Sequence, residues 1–129
     1  MNGRFLLDTN AVIALWSNDR SLQSLLSAAD LVSIPCIVVG ELYFGARKSA
    51  RAETNLAKID EFVGHMAIEQ CDAITAKHYG RIKDFLRQRG RPIPENDVWI
   101  AALTEQYGLT LLTRDDHFKE IEGLQARSW

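Results

Sequence analysis

The chain has almost no cysteine, no long apolar run and no excess of positive charge, and each absence excludes something. Only Cys36 and Cys71 occur in 129 residues, with no CxxC spacing. That count argues against a structural zinc site or a disulfide scaffold, so both are expected to be reduced, buried, inert thiols. No apolar stretch approaches the ~20 residues needed to cross a bilayer. Residues 1–16 offer one short apolar run broken by Asp8, which is no signal peptide. A cytoplasmic protein without membrane contact is therefore expected. The formal charge of −2 excludes a chain that is basic throughout. Acids gathered around metal ions could still coexist with a basic rim, and the cations are indeed uneven. Arg47, Lys48 and Arg51 form one group, and Arg81, Lys83, Arg87, Arg89 and Arg91 another.

What is present is an alternation of short apolar runs with helical periodicity, the pattern of an α/β fold. Residues 4–7 predict a buried strand ending at Asp8, followed by helices over 9–16 and 21–29. A second strand is expected over 31–34, with Pro35 as the first residue of a helix reaching about Ala50. Helix 52–66, a weak strand 67–69 and a helix over 72–89 follow, the last stopped by Gly90. Pro92 and Pro94 fix an extended connector. Helix 96–107 closes at Gly108, strand 109–112 is strongly marked, and a turn or short helix at 114–120 leads to a last strand near 124–126. There is no repeat, low-complexity segment or linker, so residues 1–129 are read as one domain.

In parallel α/β sheets ligands bind outside the carboxyl ends of the strands. Asp8 stands there after the first strand, and Asp115, with Asp116 as the alternative, after the strand 109–112. Asp97 lies at the opening of a helix, and Glu41 lies within an apolar helix stripe, where a lone carboxylate is costly unless paired or metal-bound. Each has an ordinary explanation alone, as a helix cap, a dipole partner or a polar turn. Together they suit hard divalent ions such as Mg²⁺ or Mn²⁺, which take oxygen ligands, and no Cys/His set competes for a softer metal. The matching chemistry is metal-assisted phosphodiester hydrolysis.

Leu6-Leu7-Asp8-Thr9-Asn10, Gly40-Glu41-Leu42, Asn96-Asp97-Val98-Trp99-Ile100-Ala101-Ala102 and Leu112-Thr113-Arg114-Asp115 resemble the motifs of PIN-domain ribonucleases. The likeness is strongest to the VapC toxins of toxin–antitoxin pairs, and it spans essentially the whole chain. It implies a three-layer α/β/α fold with a small central parallel sheet of four to five strands. It makes Asp8, Glu41 and Asp97 metal ligands and Asp115 the fourth acid, with Asn10 and Thr113 as polar support. It further implies an Mg²⁺- or Mn²⁺-dependent endoribonuclease, cutting an RNA such as tRNA. A homodimer and a VapB-like antitoxin would accompany it, the antitoxin covering the acidic groove and presenting an arginine there. A PIN domain that only binds RNA is the alternative.

Arg47, Lys48, Arg87 and Arg114 are the candidates for RNA-backbone contacts. His117, beside the acids, is expected to be structural, and His65 and His78 to be packing or surface residues. Phe118 should seal the core, while Trp16, Tyr43, Phe44 and Trp99 are expected in core or interface. Trp129 has no obvious burial partner. A haloacid-dehalogenase-like phosphatase would need a second Asp where Asn10 stands. A receiver-like Mg²⁺-binding signalling module would need paired acids in its first loop and a lysine after its last strand.

Overall fold

The computed structural model describes residues 3–129. It holds five strands and six α-helices: β1 (Arg4–Leu7), α1 (Thr9–Trp16), α2 (Arg20–Ser27), β2 (Leu31–Pro35), α3 (Cys36–Lys48) and α4 (Ala52–Gly64), then β3 (Ala67–Glu69), α5 (Ala73–Arg89), α6 (Glu95–Gln106), β4 (Thr110–Leu112) and β5 (Ala126–Arg127), with a 3-10 turn at Asp116–Glu120. All strand pairs are parallel, in the order β3-β2-β1-β4-β5. This is the α/β architecture expected from the sequence.

Parallel neighbours need crossover connections, and these are almost always right-handed. The chain steps outward from β1 through β2 to β3, then returns past β2 and β1 to β4. Right-handed crossovers therefore place α1–α4 on one face and α5–α6 on the other. Burial on both faces explains why Phe5, Leu6, Leu7, Leu111 and Leu112 form continuous apolar runs, each at most 2% exposed. Ile34, Val38, Ile82 and the α6 run Ile100–Leu103 complete the same core.

The direction of travel reverses at β1, which pairs with β2 on one side and β4 on the other. That reversal opens a crevice at the carboxyl ends of β1 and β4. Leu7 is in register with Leu112, so the residues that follow, Asp8 and Thr113, enter the crevice side by side.

Pro35 departs from expectation. It is the last residue of β2 and the N-cap of α3, at φ −69°, ψ 145°. Its ring fixes φ but leaves ψ free, and the extended ψ keeps it in the strand for one more residue. The cysteines also depart. Cys71 is exposed and Cys36 only partly buried, with their sulfurs 3.9 Å apart as free thiols. Burial, with repulsion from Cys36 second, pushes the Cys71 thiol up to about 11. Trp129 has partners after all: its ring lies 4.4 Å from the Arg114 guanidinium, and its indole N–H donates to Asp19 at 3.3 Å.

Candidate active site

Asp8 is 5% exposed and serves two purposes at once. Its Oδ1 accepts the Ala11 N–H at 2.8 Å and so caps α1, while its Oδ2 accepts the hydroxyl of Thr113. Capping and site formation, rivals when only the sequence is read, are the same arrangement. Thr113 in turn accepts the Asp115 N–H at 2.9 Å, which ties the β4 exit loop to β1 across 105 residues of chain.

The other acids arrive on separate elements. Asp97 lies in the first turn of α6. Asp115 is the N-cap of the 3-10 turn and accepts the His117 N–H at 2.9 Å. Glu41 projects from α3 and accepts the Thr9 hydroxyl at 3.0 Å. Asp8, Asp97 and Asp115 thus all stand at helix N-termini, whose unsatisfied N–H groups favour negative charge.

The electrostatics record the convergence. Burial raises the Asp8 carboxyl above the ordinary range; hydrogen bonds from Thr113 and Ala11 oppose this, and repulsion from Asp115 and Glu41 adds to it. Asp97 is raised by burial first, with Asp115 and Glu41 again pushing up and His117 pulling down. Among the described residues, no lysine or arginine forms an ion pair with Asp8, Glu41, Asp97 or Asp115. Among the described residues, the cluster's carboxylates are therefore met by no lysine or arginine, and the side chain that stands against them is His117.

Asp116 points elsewhere. Its side chain is 84% exposed and pairs with Lys119 at 2.9 Å, which holds its carboxyl below the usual range. Geometry thus favours Asp115 over Asp116 as the fourth acid.

Two neighbours of the acids differ from expectation. His117 is no packing histidine: its Nδ1 lies 3.0 Å from Asp115 Oδ1 and 3.1 Å from Asp97 Oδ2, with half its side chain exposed. Ligand atoms of Asp97, Asp115 and His117 all lie within 4.8 Å of one another, a spacing that fits a cation. Its place next to Asp115 was the available signal. Asn10 is exposed and bonds to none of the acids, whereas Thr9, one residue earlier, holds Glu41. Both are polar residues after an acid, and only helix phase separates them.

The candidate RNA contacts are mixed. Arg47 and Lys48 are exposed at the end of α3, Lys48 lying 4.6 Å over Phe44. Arg87 pairs with Asp84 at 2.6 Å. Arg114 is turned to the chain end, donating to the Trp129 carbonyl and lying 4.0 Å from Asp19. Lys58, which the sequence did not single out, lies 4.6 Å over Trp16 and lines a groove with Thr9, Ile13, Glu41 and Ile59. That groove shares Glu41 with the acidic cluster.

Comparison with known proteins agrees with this fold. Residues 5–124 match the model of the PIN domain. The chain is 35% identical to a Haemophilus influenzae protein named ribonuclease VapC2, over 98% of each chain. It is 33% identical, with the same coverage, to a Shigella flexneri protein named tRNA(fMet)-specific endonuclease VapC. Among solved structures, VapBC2 of Rickettsia felis, bound to a DNA fragment from its promoter, contains a chain that superposes with TM-score 0.88. That chain is 30% identical, and the match covers 97% of this chain and 98% of that one.

Proposed function

The chain belongs to the PIN domain family, among its VapC ribonucleases, and from that premise we propose an Mg²⁺- or Mn²⁺-dependent endoribonuclease using Asp8, Glu41, Asp97 and Asp115. Residues 1–129 act as one such domain, a reading supported by the single sheet and the single core cluster. The observation that carries the proposal is the meeting of four acids from α3, α6 and two strand exits at one crevice, with no lysine or arginine among the described residues paired to them.

The donor set fits a hard cation. Oxygens dominate it, and the described carboxylates are held by hydrogen bonds that leave further lone pairs open. When bound, divalent ions supply the Lewis acidity that activates water and steadies the leaving oxygen. The chain's own residues do the orienting. Thr113 and the Ala11 N–H fix the plane of the Asp8 carboxylate, Thr9 fixes Glu41, and the His117 N–H fixes Asp115. Buried β1 and β4 keep these groups from drifting, which is what a reaction sensitive to misplacement requires. Lys58, Arg47 and Lys48 supply cationic surface for the phosphate chain, with Arg87 and Arg114 as further contacts if they leave their present partners.

The Shigella relative's name points to tRNA as the first substrate to try. The Rickettsia complex points to a VapB-like antitoxin as partner. Ile13 and Phe44 are 49% and 64% exposed near the groove, an apolar edge suited to a bound segment. A basic side chain of that segment would meet the acids and block them. A homodimer and a cytoplasmic location belong to the same reading; no helix among the described residues is long and apolar enough to cross a membrane.

The test is cleavage of total cellular RNA and of initiator tRNA by partner-free protein, with Mg²⁺ or Mn²⁺ and with EDTA, beside Asp97→Asn. Discrete fragments that need both the metal and Asp97 establish the activity. Cleavage that survives EDTA and Asp97→Asn refutes the assignment.

A further inference from the structure

His117 stands where packing does not require it. Half its side chain is exposed, yet its Nδ1 is held 3.0 Å from Asp115 Oδ1 and 3.1 Å from Asp97 Oδ2. A nitrogen almost equidistant from two carboxylate oxygens can divide one hydrogen bond between them. The same three groups also present ligand atoms close enough together to surround one cation.

The spacing has a simple geometric meaning. In an octahedral site with metal–ligand distances near 2.1 Å, adjacent ligand atoms are separated by about 3.0 Å. The two distances from Nδ1 match that edge, and ligand atoms of all three residues fall within 4.8 Å. The backbone N–H of His117 donates to Asp115 at 2.9 Å, so the same residue fixes one of the oxygens its ring would join. Phe118, the next residue, is 2% exposed and anchors the turn in the core. The imidazole is therefore carried on a fixed support at the rim of the acids.

We infer that His117 is a nitrogen ligand of the metal site, joining Asp97 and Asp115 and biasing the site toward first-row transition ions such as Mn²⁺ over Mg²⁺. The inference rests on the metal-dependent reading above but asks a separate question. An all-oxygen site suits Mg²⁺ and Mn²⁺ alike, whereas imidazole favours the transition metal. Replacing His117 should therefore cost Mn²⁺ much more than Mg²⁺.

The experiment is Mn²⁺ electron spin-echo spectroscopy on the full chain, stripped of metal with EDTA and dialysed. Unlabelled protein should show nitrogen modulation on bound Mn²⁺. Protein grown with ¹⁵N-histidine should show the ¹⁵N pattern instead, and His117→Ala should show neither. In calorimetric titrations His117→Ala should bind Mn²⁺ about tenfold more weakly while Mg²⁺ binding changes less than about twofold. His65 stands just beyond the end of α4 and His78 on α5, so His78→Ala should leave the signal intact. Tight Mn²⁺ binding without histidine modulation overturns the inference and leaves the four-acid site standing. No Mn²⁺ binding at all overturns both. The labelled wild-type measurement decides the matter even if His117→Ala folds poorly.

Discussion

Replacing Thr113 with valine removes one hydroxyl and changes the side-chain shape little. The structure says that this hydroxyl donates to Asp8 and accepts the Asp115 N–H. Loss of a hydrogen bond to a charged group costs about 1.5–3 kcal/mol, and the orphaned Asp115 N–H adds to it. A total of about 3 kcal/mol is expected at neutral pH without metal. Unfolding entropy of about 2.1 cal/mol/K per residue converts that to a melting temperature lower by about 11 °C for 129 residues. Urea unfolding of Thr113→Val and Thr113→Ser, both metal-free, measures it, and serine should recover most of the loss. The deficit should also depend on pH. Asp8 is raised by burial and lowered by this hydrogen bond, so valine raises it further. A carboxyl with a raised folded value contributes stability present below the unfolded value, and that contribution is lost as pH climbs through the folded one. The gap between valine and wild type should thus be wide at neutral pH and narrow in acid, where a protonated Asp8 needs the hydroxyl less. The acid limb of the cleavage profile should move to higher pH in the same variant. Equal stability of valine and wild type at neutral pH would refute the placement of Thr113.

The same electrostatics give further expectations. Asp97→Asn should abolish cleavage, by at least about a hundredfold or about 3 kcal/mol, yet leave the metal-free protein as stable as wild type or more so, because a raised carboxyl is traded for a neutral group; urea unfolding beside the RNA assay checks both halves. Mg²⁺ or Mn²⁺ should raise the melting temperature at neutral pH and lose that effect in acid as Asp8 and Asp97 take up protons. Asp116→Asn should cleave RNA within about twofold of wild type while Asp115→Asn fails, since Asp116 is 84% exposed and paired to Lys119. Lys58→Ala should weaken RNA binding and reduce its salt dependence, and an unchanged salt slope would remove the groove from the RNA path.

Much of this was legible in the sequence because the signals are local. The strands β1 and β4 were marked by short apolar runs, and Asp8 and Asp115 by standing just beyond them. Glu41 stood out on the apolar stripe of its helix and Asp97 at a helix opening, and motif likeness then joined the four acids. Other features depend on angles that sequence does not state. Thr9 rather than Asn10 faces Glu41, since one residue is a turn of 100° on a helix. Arg114 read as a free cation until the chain end folded back and Trp129 covered it. Cys36 and Cys71 looked like separate buried thiols; β3 beside β2 brings the ends of those strands, and so the two sulfurs, together near the surface. His117 was expected to be structural, although its neighbours in the chain already pointed to the acids.

The cluster raises a problem that its own construction answers. Four carboxylates drawn together ought to destabilise a small protein, and the raised Asp8 and Asp97 show that part of this cost is real. Removing the acids from the core would lower it, but then no rigid element would hold them. The fold instead places three of them at helix N-termini, where backbone N–H groups already need acceptors. The side chains of Asp8 and Asp115 that would bind a cation therefore also satisfy backbone donors at Ala11 and His117. Replacing these acids by alanine would lose caps worth about 1 kcal/mol each, while asparagine would keep them. Asn variants should therefore separate activity from folding, and Ala variants of Asp8 and Asp115 should not. If Asp8→Ala melts at the same temperature as Asp8→Asn, the dual use of these caps is wrong.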